Sequence, residues 1–205
     1  DNLISCSVTD GKCMWFGHMN GHLSFFDGEK LHSVIMPQSN SSPITHFAKS
    51  PDDQIWASTY SDGLLKLNKK TGVIKNYLLK NQVFILSFDF LNDNELLIGT
   101  NTGLLHVRLK ESGEIEKIRS FTEIAESKVT CVQKIRNKPG FYVATENDGI
   151  FQITHEDNLF KVSKINTDRE FDFTGIQNIY EDSQSNLWLC SFGNGLIKMI
   201  YSASG

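Results

Sequence analysis

Short apolar stretches alternate with polar turns along the whole chain, and the pattern recurs at intervals of roughly 40 to 47 residues. Each repeat has an apolar stretch, a short polar tip containing glycine, and a second apolar stretch, which predicts two strands joined by a tight turn. The five copies read DGKCMWFGHMNGHLSFF, DDQIWASTYSDGLLKL, DNELLIGTNTGLLHV, KPGFYVATENDGIFQI and SNLWLCSFGNGLIKM.

Large and small side chains occupy fixed positions in the strand that precedes the polar tip of each copy. A large apolar residue comes first, and a small residue follows two positions later, on the same face of a strand. An apolar residue between them predicts a strand that is buried on both faces. Cys190 falls in the small position, so we interpret it as a packing residue and not as a nucleophile. The large residues are Trp15, Trp56, Leu97, Val143 and Trp188, and the small ones are Gly17, Ser58, Gly99, Thr145 and Cys190.

The polar tips carry a residue pair that favours hairpins. Asn-Gly and Asp-Gly are the preferred pairs of type I′ turns, which need a positive φ at both positions. We therefore predict a type I′ hairpin in every copy. The pairs are Asn20-Gly21, Asp62-Gly63, Thr102-Gly103, Asp148-Gly149 and Asn194-Gly195.

Two further strands flank each hairpin. An apolar anchor marks a preceding strand in all five copies, and a following strand is present in four of them but not in the fifth. Four antiparallel strands in each of the first four units, and three in the fifth, predict an all-β fold, a β-propeller of about five blades, with an antiparallel sandwich as the alternative. The blades span approximately 3–43, 44–82, 83–127, 128–174 and 175–205, and SFTEIAESK is predicted to contain a turn of helix. The anchors are Ile4, Ile44, Ile85, Val129 and Ile176.

Composition and charge exclude some classes of partner. The 205-residue chain has a net charge of −4 with acidic and basic residues mixed, which argues against a nucleic-acid partner. No apolar run reaches the roughly 18 residues that a membrane helix needs. No signal peptide is visible, and the chain begins at Asp1, so we interpret it as a processed or excised piece. None of the four cysteines lies in a metal-binding spacing, and we expect small, buried, reduced side chains.

Catalytic motifs are missing from the sequence, so we predict a region that is not an enzyme and needs no cofactor or metal. A calcium site in the acidic turn LNDNE is the weaker interpretation beside a plain turn. An enzyme would be a carbohydrate-active propeller, a lyase or glycosidase scaffold, which uses paired carboxylates. The inner strands offer only Asp89 and Glu181 for that role. A protein-interaction scaffold is a further alternative.

The hairpin tips are the predicted ligand-binding positions. Aromatic rings beside amides and carboxylates suit a sugar, because the ring stacks on the apolar face and the polar groups bind hydroxyls. We expect Tyr60 and Phe192 to be the stacking platforms, and the unmatched loop EFDFTG is a second candidate surface. The speculative binding residues are His18, Asn20, Tyr60, Asp62, Asn101, Asn147, Phe192 and Asn194.

The best-preserved unit, IQNIYEDSQSNLWLCSFGNGLIKM, resembles the two-component regulator propeller repeat. The resemblance extends over essentially the whole chain, although Cys190 and Ser191 replace the usual Gly-Thr and the fourth unit is degenerate. It is specific for the fold and weaker for function. The matching residues are Glu181, Asp182, Asn186, Leu187, Trp188, Gly195 and Leu196.

The resemblance implies a place in the extracytoplasmic sensor region of a hybrid two-component system, with periplasmic localisation. In that family the propellers detect oligosaccharides, and the membrane helix and histidine kinase lie downstream of them. The family's propellers generally have seven blades, so we expect an open arc from a larger propeller. The flanks of such an arc expose apolar surface, and from this we predict a homodimer through the propeller flanks or neighbouring domains.

Overall fold

The computed structural model describes residues 3–11, 13–34, 36, 42–68, 72–79, 83–124, 126–156, 159–165 and 173–200. The first three sheets contain β1 (Ile4–Asp10), β2 (Cys13–His18), β3 (Leu23–Phe26) and β4 (Leu31–Ser33); β5 (Ile44–Lys49), β6 (Ile55–Thr59), β7 (Gly63–Asn68) and β8 (Gly72–Tyr77); and β9 (Ile85–Phe90), β10 (Glu95–Thr100), β11 (Gly103–Leu109) and β12 (Ile115–Ser120). The last two contain β13 (Val129–Lys134), β14 (Phe141–Thr145), β15 (Ile150–Glu156) and β16 (Leu159–Lys164); and β17 (Ile176–Glu181), β18 (Leu187–Ser191) and β19 (Gly195–Met199).

Each sheet is one propeller blade. Consecutive strands pair antiparallel within a blade, and the first strands β1, β5, β9, β13 and β17 lie side by side, innermost in the molecule. Four blades have four strands, and the fifth has three in the part of the chain that the structure describes. The prediction of an all-β propeller with about five blades is confirmed. The predicted helical turn is present as a 3-10 turn at Thr122–Ile124.

Neighbouring blades pack through the anchor of one blade and the small residue of the blade before it. Gly17 lies against Ile44 so closely that a Cβ atom on Gly17 would be 2.5 Å from Cγ2 of Ile44. A Cβ on Gly99 would be 2.6 Å from Cγ1 of Val129 in the next blade. These small residues, which we call the small column, are needed because the branched anchor of the next blade packs directly against the backbone at their positions.

The fourth blade departs from the predicted alignment by one residue. Cys131 pairs with Ala144, as Ser87 pairs with Gly99 in the third blade. Tyr142 and Ala144 therefore hold the large and small positions, and the assignment of Val143 and Thr145 was wrong. The tip is one residue longer in the fourth blade than in the third, since three residues separate Thr145 from Gly149 and two separate Thr100 from Gly103.

The hairpin tips are not type I′ turns. Each glycine of the predicted pairs has a positive φ, between 71° and 130°, but the residue before it does not. In the second, third and fourth blades, a threonine at the end of the second strand organises the tip instead. Thr145 Oγ1 accepts a hydrogen bond from Asp148 N (2.9 Å) and donates one to Gly149 O (2.9 Å). Thr59 makes the same pair of bonds with Asp62 and Gly63. The tips of these three blades therefore need one left-handed glycine each, whereas the tip of the fifth blade has two, Gly193 and Gly195.

Burial of the second strands follows the number of neighbouring blades. Strands β6 and β14 are buried at every position, as predicted. Strands β2 and β18 alternate between buried and more exposed positions, so the prediction of burial on both faces was wrong for these two, since each belongs to a terminal blade. Four apolar clusters join consecutive blades, and among the described residues no such cluster joins the fifth blade to the first. The blade number of the intact propeller stays a prediction.

The four cysteines are free thiols, but they are not uniformly buried. Cys131 is buried and Cys6 and Cys13 are half-buried. Cys190 is exposed, so the expectation of burial was wrong for this residue. The reason is its place on the outer flank of the fifth blade, where no following blade covers the small position.

A carboxylate connects the third and fourth blades. Asp89 Oδ2 accepts a hydrogen bond from the backbone N–H of Lys134 (2.8 Å), and Oδ1 accepts one from Phe90 N (2.7 Å). Burial raises the pKa of Asp89 to about 6, against the lowering effect of these two bonds. The Asp89 side chain is thus a structural link whose charge is disfavoured by its surroundings.

Replacing Gly99 with valine is expected to lower the free energy of unfolding by about 1–3 kcal/mol, because the new side chain overlaps Val129. Cys190→Val is the matched control, since it enlarges the same column where no blade lies above it. We expect that variant to stay within about 0.5 kcal/mol of the wild type. Urea unfolding of the two variants measures both values, and equal losses would contradict the packing role of the small column.

Asp89 is also expected to make stability depend on pH. Its pKa is about 6 in the folded chain and near 3.9 in the unfolded chain, so the folded state binds more protons between these values. The stabilisation is present below about pH 4 and is lost as the pH rises through 6, by about 2–3 kcal/mol. Urea unfolding of the wild type and of Asp89→Asn at several pH values isolates this contribution as a difference. Parallel pH profiles for the two proteins would show that Asp89 contributes none of it.

Candidate functional site

An axial cavity of about 830 Å³ lies between the blades and is lined by residues of all five inner strands. Met19 and Tyr60, from hairpin tips, and Pro43 and Lys128, from the segments that lead into inner strands, lie at one end of it. The cavity is therefore reached from the face that carries the hairpins between second and third strands. This is the face on which propeller ligands were predicted to bind.

A β-bulge in each inner strand shapes the wall of the cavity. The pairing register shifts by one residue directly after every anchor, and a bulge re-aims the extra side chain. Four of the five extra residues are polar, which gives an axial ring of hydroxyl and amide groups with one leucine. The ring consists of Ser5, Thr45, Leu86, Thr130 and Gln177, all of which line the cavity.

Two of the three hydroxyls of this ring also tie neighbouring blades together. Ser5 Oγ donates to the backbone oxygen of Ile44 (2.5 Å), and Thr130 Oγ1 donates to that of Ile176 (2.5 Å). Because the hydroxyl hydrogens are used in this way, the oxygen lone pairs are the groups left to accept a hydrogen bond from a bound molecule.

His46 is the titratable ring in the wall of the cavity. It lies edge-on to Phe88, with 5.7 Å between ring centroids. Burial lowers the pKa of His46 to about 4. The imidazole is therefore neutral near pH 7 and has one donor and one acceptor nitrogen. A neutral ring of this kind suits an uncharged, hydroxyl-rich molecule.

The two cysteines in the cavity wall are unreactive thiols. Burial raises the pKa of Cys6 to about 11 and that of Cys131 to about 12. Since the thiolate is the nucleophile, neither side chain is activated near neutral pH.

An aromatic pair stands at the rim of the cavity. The rings of Tyr60 and Phe84 are stacked, with centroids 4.4 Å apart and an angle of 8° between the planes. Asn101, which was also predicted to bind the ligand, holds the backbone of Phe84 in place: its Oδ1 atom accepts a hydrogen bond from Phe84 N (3.1 Å). Lys128 and Glu146 form an ion pair of 2.7 Å on the same rim. The rim thus has a flat apolar surface beside charged and amide groups.

Of the eight predicted binding residues, only Tyr60 lines the axial cavity. The others are distributed over the hairpins of all five blades, and several have a role within their own turn. Phe192 is 85% exposed and Asn147 is exposed. Four of the others form a hydrogen bond within their own hairpin. These bonds are His18 Nε2 with Ser24 Oγ (2.9 Å), His22 N to Asn20 Oδ1 (3.2 Å), Asp62 N to Thr59 Oγ1 (2.9 Å) and Asn194 Nδ2 to Ser191 Oγ (3.4 Å).

Sequence reasoning missed the axial ring and His46. The signal was present, because the residue after each anchor is polar in four of five copies, where a regular buried strand would favour apolar residues on both faces. Phe84 was missed because it precedes an anchor and has an aromatic counterpart in no other copy. The first half of the loop EFDFTG, residues 170–172, lies outside the described residues.

The two carboxylates considered for catalysis do not line the cavity. Asp89 binds two backbone N–H groups, and Glu181 Oε2 accepts a hydrogen bond from Arg136 N (2.9 Å). Both serve the packing of blades. In the described part of the chain, no three His, Cys, Asp or Glu side chains lie close enough together to hold a metal ion.

None of the described segments is a helix of the length and apolar character required to cross a bilayer.

Comparison with known proteins identifies the fold of this chain but no protein family. A scan against protein-family models finds no match, and neither does a search of curated proteins. Solved structures do match. The extracellular domain of the proposed hybrid two-component system BT4673 of B. thetaiotaomicron is 21% identical, with a TM-score of 0.67, and the match covers 97% of this chain and 27% of that one.

Two other structures extend the comparison. The extracellular domain of the proposed hybrid two-component system BT3049 of B. thetaiotaomicron is 18% identical, with a TM-score of 0.69, over 96% of this chain and 27% of that one. An inactive H270A virginiamycin B lyase from Staphylococcus aureus, solved with quinupristin, is 15% identical, with a TM-score of 0.73, over 100% and 72%. This chain spans about a quarter of the length of the two extracellular domains. It shares its propeller fold with them, which confirms the resemblance of its repeats at the level of fold.

Proposed function

We propose that this chain is part of the ligand-sensing propeller of an extracytoplasmic signalling protein, and that its axial cavity binds an oligosaccharide. The observation that carries the proposal is the cavity rim, where Tyr60 stacks on Phe84 above a ring of hydroxyl and amide groups. Sugars have apolar faces that stack on aromatic rings and hydroxyls that need fixed hydrogen-bond partners.

The chemistry of the cavity favours a neutral polar ligand. Among the described residues that line the wall there is no carboxylate, and Lys128, at one end, already has Glu146 as an ion-pair partner. His46 is neutral near pH 7 because burial lowers its pKa. A strongly charged ligand would meet no unpaired opposite charge among the lining residues, whereas a sugar hydroxyl would find donors and acceptors in Gln177, Asn178 and the imidazole.

The likeness to extracellular domains of hybrid two-component systems supports the signalling role and the extracytoplasmic placement. In this proposal the kinase and the membrane segment belong to the rest of a longer protein. Binding at the axis would be relayed through the inner strands, because Ser5 and Thr130 bond across blade boundaries beside the cavity.

The likeness to virginiamycin B lyase gives the enzymatic alternative less support. The carboxylates of the inner strands hold backbone N–H groups, and the cavity thiols have raised pKa values. In the part of the chain that the structure describes, no carboxylate lines the cavity beside His46 to orient its ring in the way that general bases usually require.

Tyr60→Ala is expected to weaken oligosaccharide binding about tenfold, because it removes a stacking surface worth roughly 1.5 kcal/mol. Isothermal titration with maltohexaose, cellohexaose and xylohexaose measures the affinity of the wild type and of the variant. Phe192→Ala is the matched control, since this aromatic residue lies on a hairpin tip but does not line the cavity.

Two outcomes would contradict the proposal. Unchanged affinity in Tyr60→Ala, with a loss in Phe192→Ala, would place the site on the hairpin tip of the fifth blade and not in the axial cavity. Hydrolysis or elimination products in the titration mixture would replace the sensing function with an enzymatic one.

A further inference from the structure

One residue of the axial ring differs in chemistry from the other four. Leu86 is the extra residue of the bulge in the third blade, where the pairing partners change from Ser87 to Ile85. The equivalent residue carries a hydroxyl or an amide in each of the other blades, and all five line the cavity. An apolar side chain at this position has to be explained by packing within the protein or by the molecule that the cavity binds. The four polar residues are Ser5, Thr45, Thr130 and Gln177.

Packing within the protein does not account for Leu86. Two apolar residues of the same strand, Ile85 and Phe88, are 0% exposed and belong to the apolar cluster between the second and third blades. Leu86 is only half-buried, and it belongs to none of the four apolar clusters that the described residues form. The third blade has a neighbouring blade on each side, and Leu86 lines the cavity between them. Its apolar surface contributes to binding when a ligand covers it with an apolar group.

The adjacent inner strands supply a hydrogen-bond acceptor and a donor beside Leu86. On strand β13, Thr130 Oγ1 donates to the backbone oxygen of Ile176 (2.5 Å), so its lone pairs are left to accept a hydrogen bond. On strand β17, Asn178 Oδ1 accepts a hydrogen bond from Cys131 Sγ (3.5 Å), so its amide N–H groups are left to donate. Thr130 and Asn178 both line the cavity. Three consecutive inner strands therefore present an apolar surface, an acceptor and a donor.

These three groups match the three parts of an acetamido group, which are a methyl, an N–H and a carbonyl oxygen. We propose that the axial cavity binds an oligosaccharide of N-acetylhexosamine, with the acetamido methyl on Leu86, its N–H donated to Thr130 Oγ1 and its carbonyl oxygen bonded to the Asn178 amide. The inference rests on the proposed function, since it names the class of oligosaccharide that the cavity takes. An acetamido group is uncharged, which agrees with the neutral imidazole of His46 in the cavity wall.

A 6-deoxy sugar is the other common sugar with a methyl group, and the cavity favours it less. The planar amide holds the methyl, the N–H and the carbonyl oxygen in one rigid unit, so little conformational freedom is lost when all three are bound. The methyl of a deoxy sugar would cover Leu86 alone. Thr130 and Asn178 would then depend on separate hydroxyl groups of the sugar.

Two trisaccharides test the inference as a matched pair. Triacetylchitotriose and cellotriose differ only in the acetamido or hydroxyl group on each ring. Isothermal titration of the wild type should give at least about tenfold tighter binding of triacetylchitotriose, since one more methyl is buried and one more hydrogen bond is made. Leu86→Ser, which introduces the ring residue of the first blade, should reduce this ratio to about threefold or less. Leu86→Met is the control, because it keeps an apolar side chain of similar volume and should keep the ratio.

The outcomes separate this inference from the proposed function. Equal affinity of the wild type for the two trisaccharides, or an unchanged ratio in Leu86→Ser, would overturn the N-acetylhexosamine assignment and leave oligosaccharide binding in place. Stronger competition by L-fucose than by N-acetylglucosamine would assign Leu86 to a deoxy sugar and overturn it as well. A wild-type chain that binds none of these sugars, nor the three hexasaccharides, would overturn both.

Discussion

The approach of one blade to the next, through a branched anchor placed on a small residue, is the contact on which the rest of the structure depends. It sets the spacing between sheets, because a Cβ atom on Gly17 or Gly99 would overlap the anchor of the following blade. Interiors are packed at the density of crystals, so the spacing has little room to vary. Each boundary is therefore a separate nearest-neighbour contact, as in other repeat proteins.

The same contact produces the axial cavity. The anchor side chain packs between two blades, whereas the side chain of the next residue faces the axial cavity. The bulge directly after the anchor makes this change of side-chain direction possible. Thr45 and Thr130 occupy this bulge and line the cavity in consequence. The same local feature thus serves both the packing and the cavity wall: the anchor before the bulge closes the blade boundary, and the extra residue of the bulge lines the cavity.

A structural feature could be predicted from the sequence when it recurs in each copy of the repeat. The strands, the anchor column and the propeller fold recur in every copy, so their periodicity reveals them. The register of the fourth blade was misplaced because Val143 is as apolar as Tyr142, and only pairing with the neighbouring strand distinguishes them. The aromatic pair of Tyr60 and Phe84 comes from two blades and occurs once. The sequence repeat does not reveal that these two rings are in contact, because the contact depends on how neighbouring blades pack.

The terminal flanks show how a repeat architecture separates sequence from environment. Leu64 and Leu196 are the same residue at the same register, yet one is 0% exposed and the other 63%. Their sequence environment is alike, down to the lysine over the neighbouring tryptophan. The difference is supplied entirely by the presence of a following blade. At the four boundaries that the described residues form, the burial of these positions is therefore set by the adjoining blade and not by the local sequence.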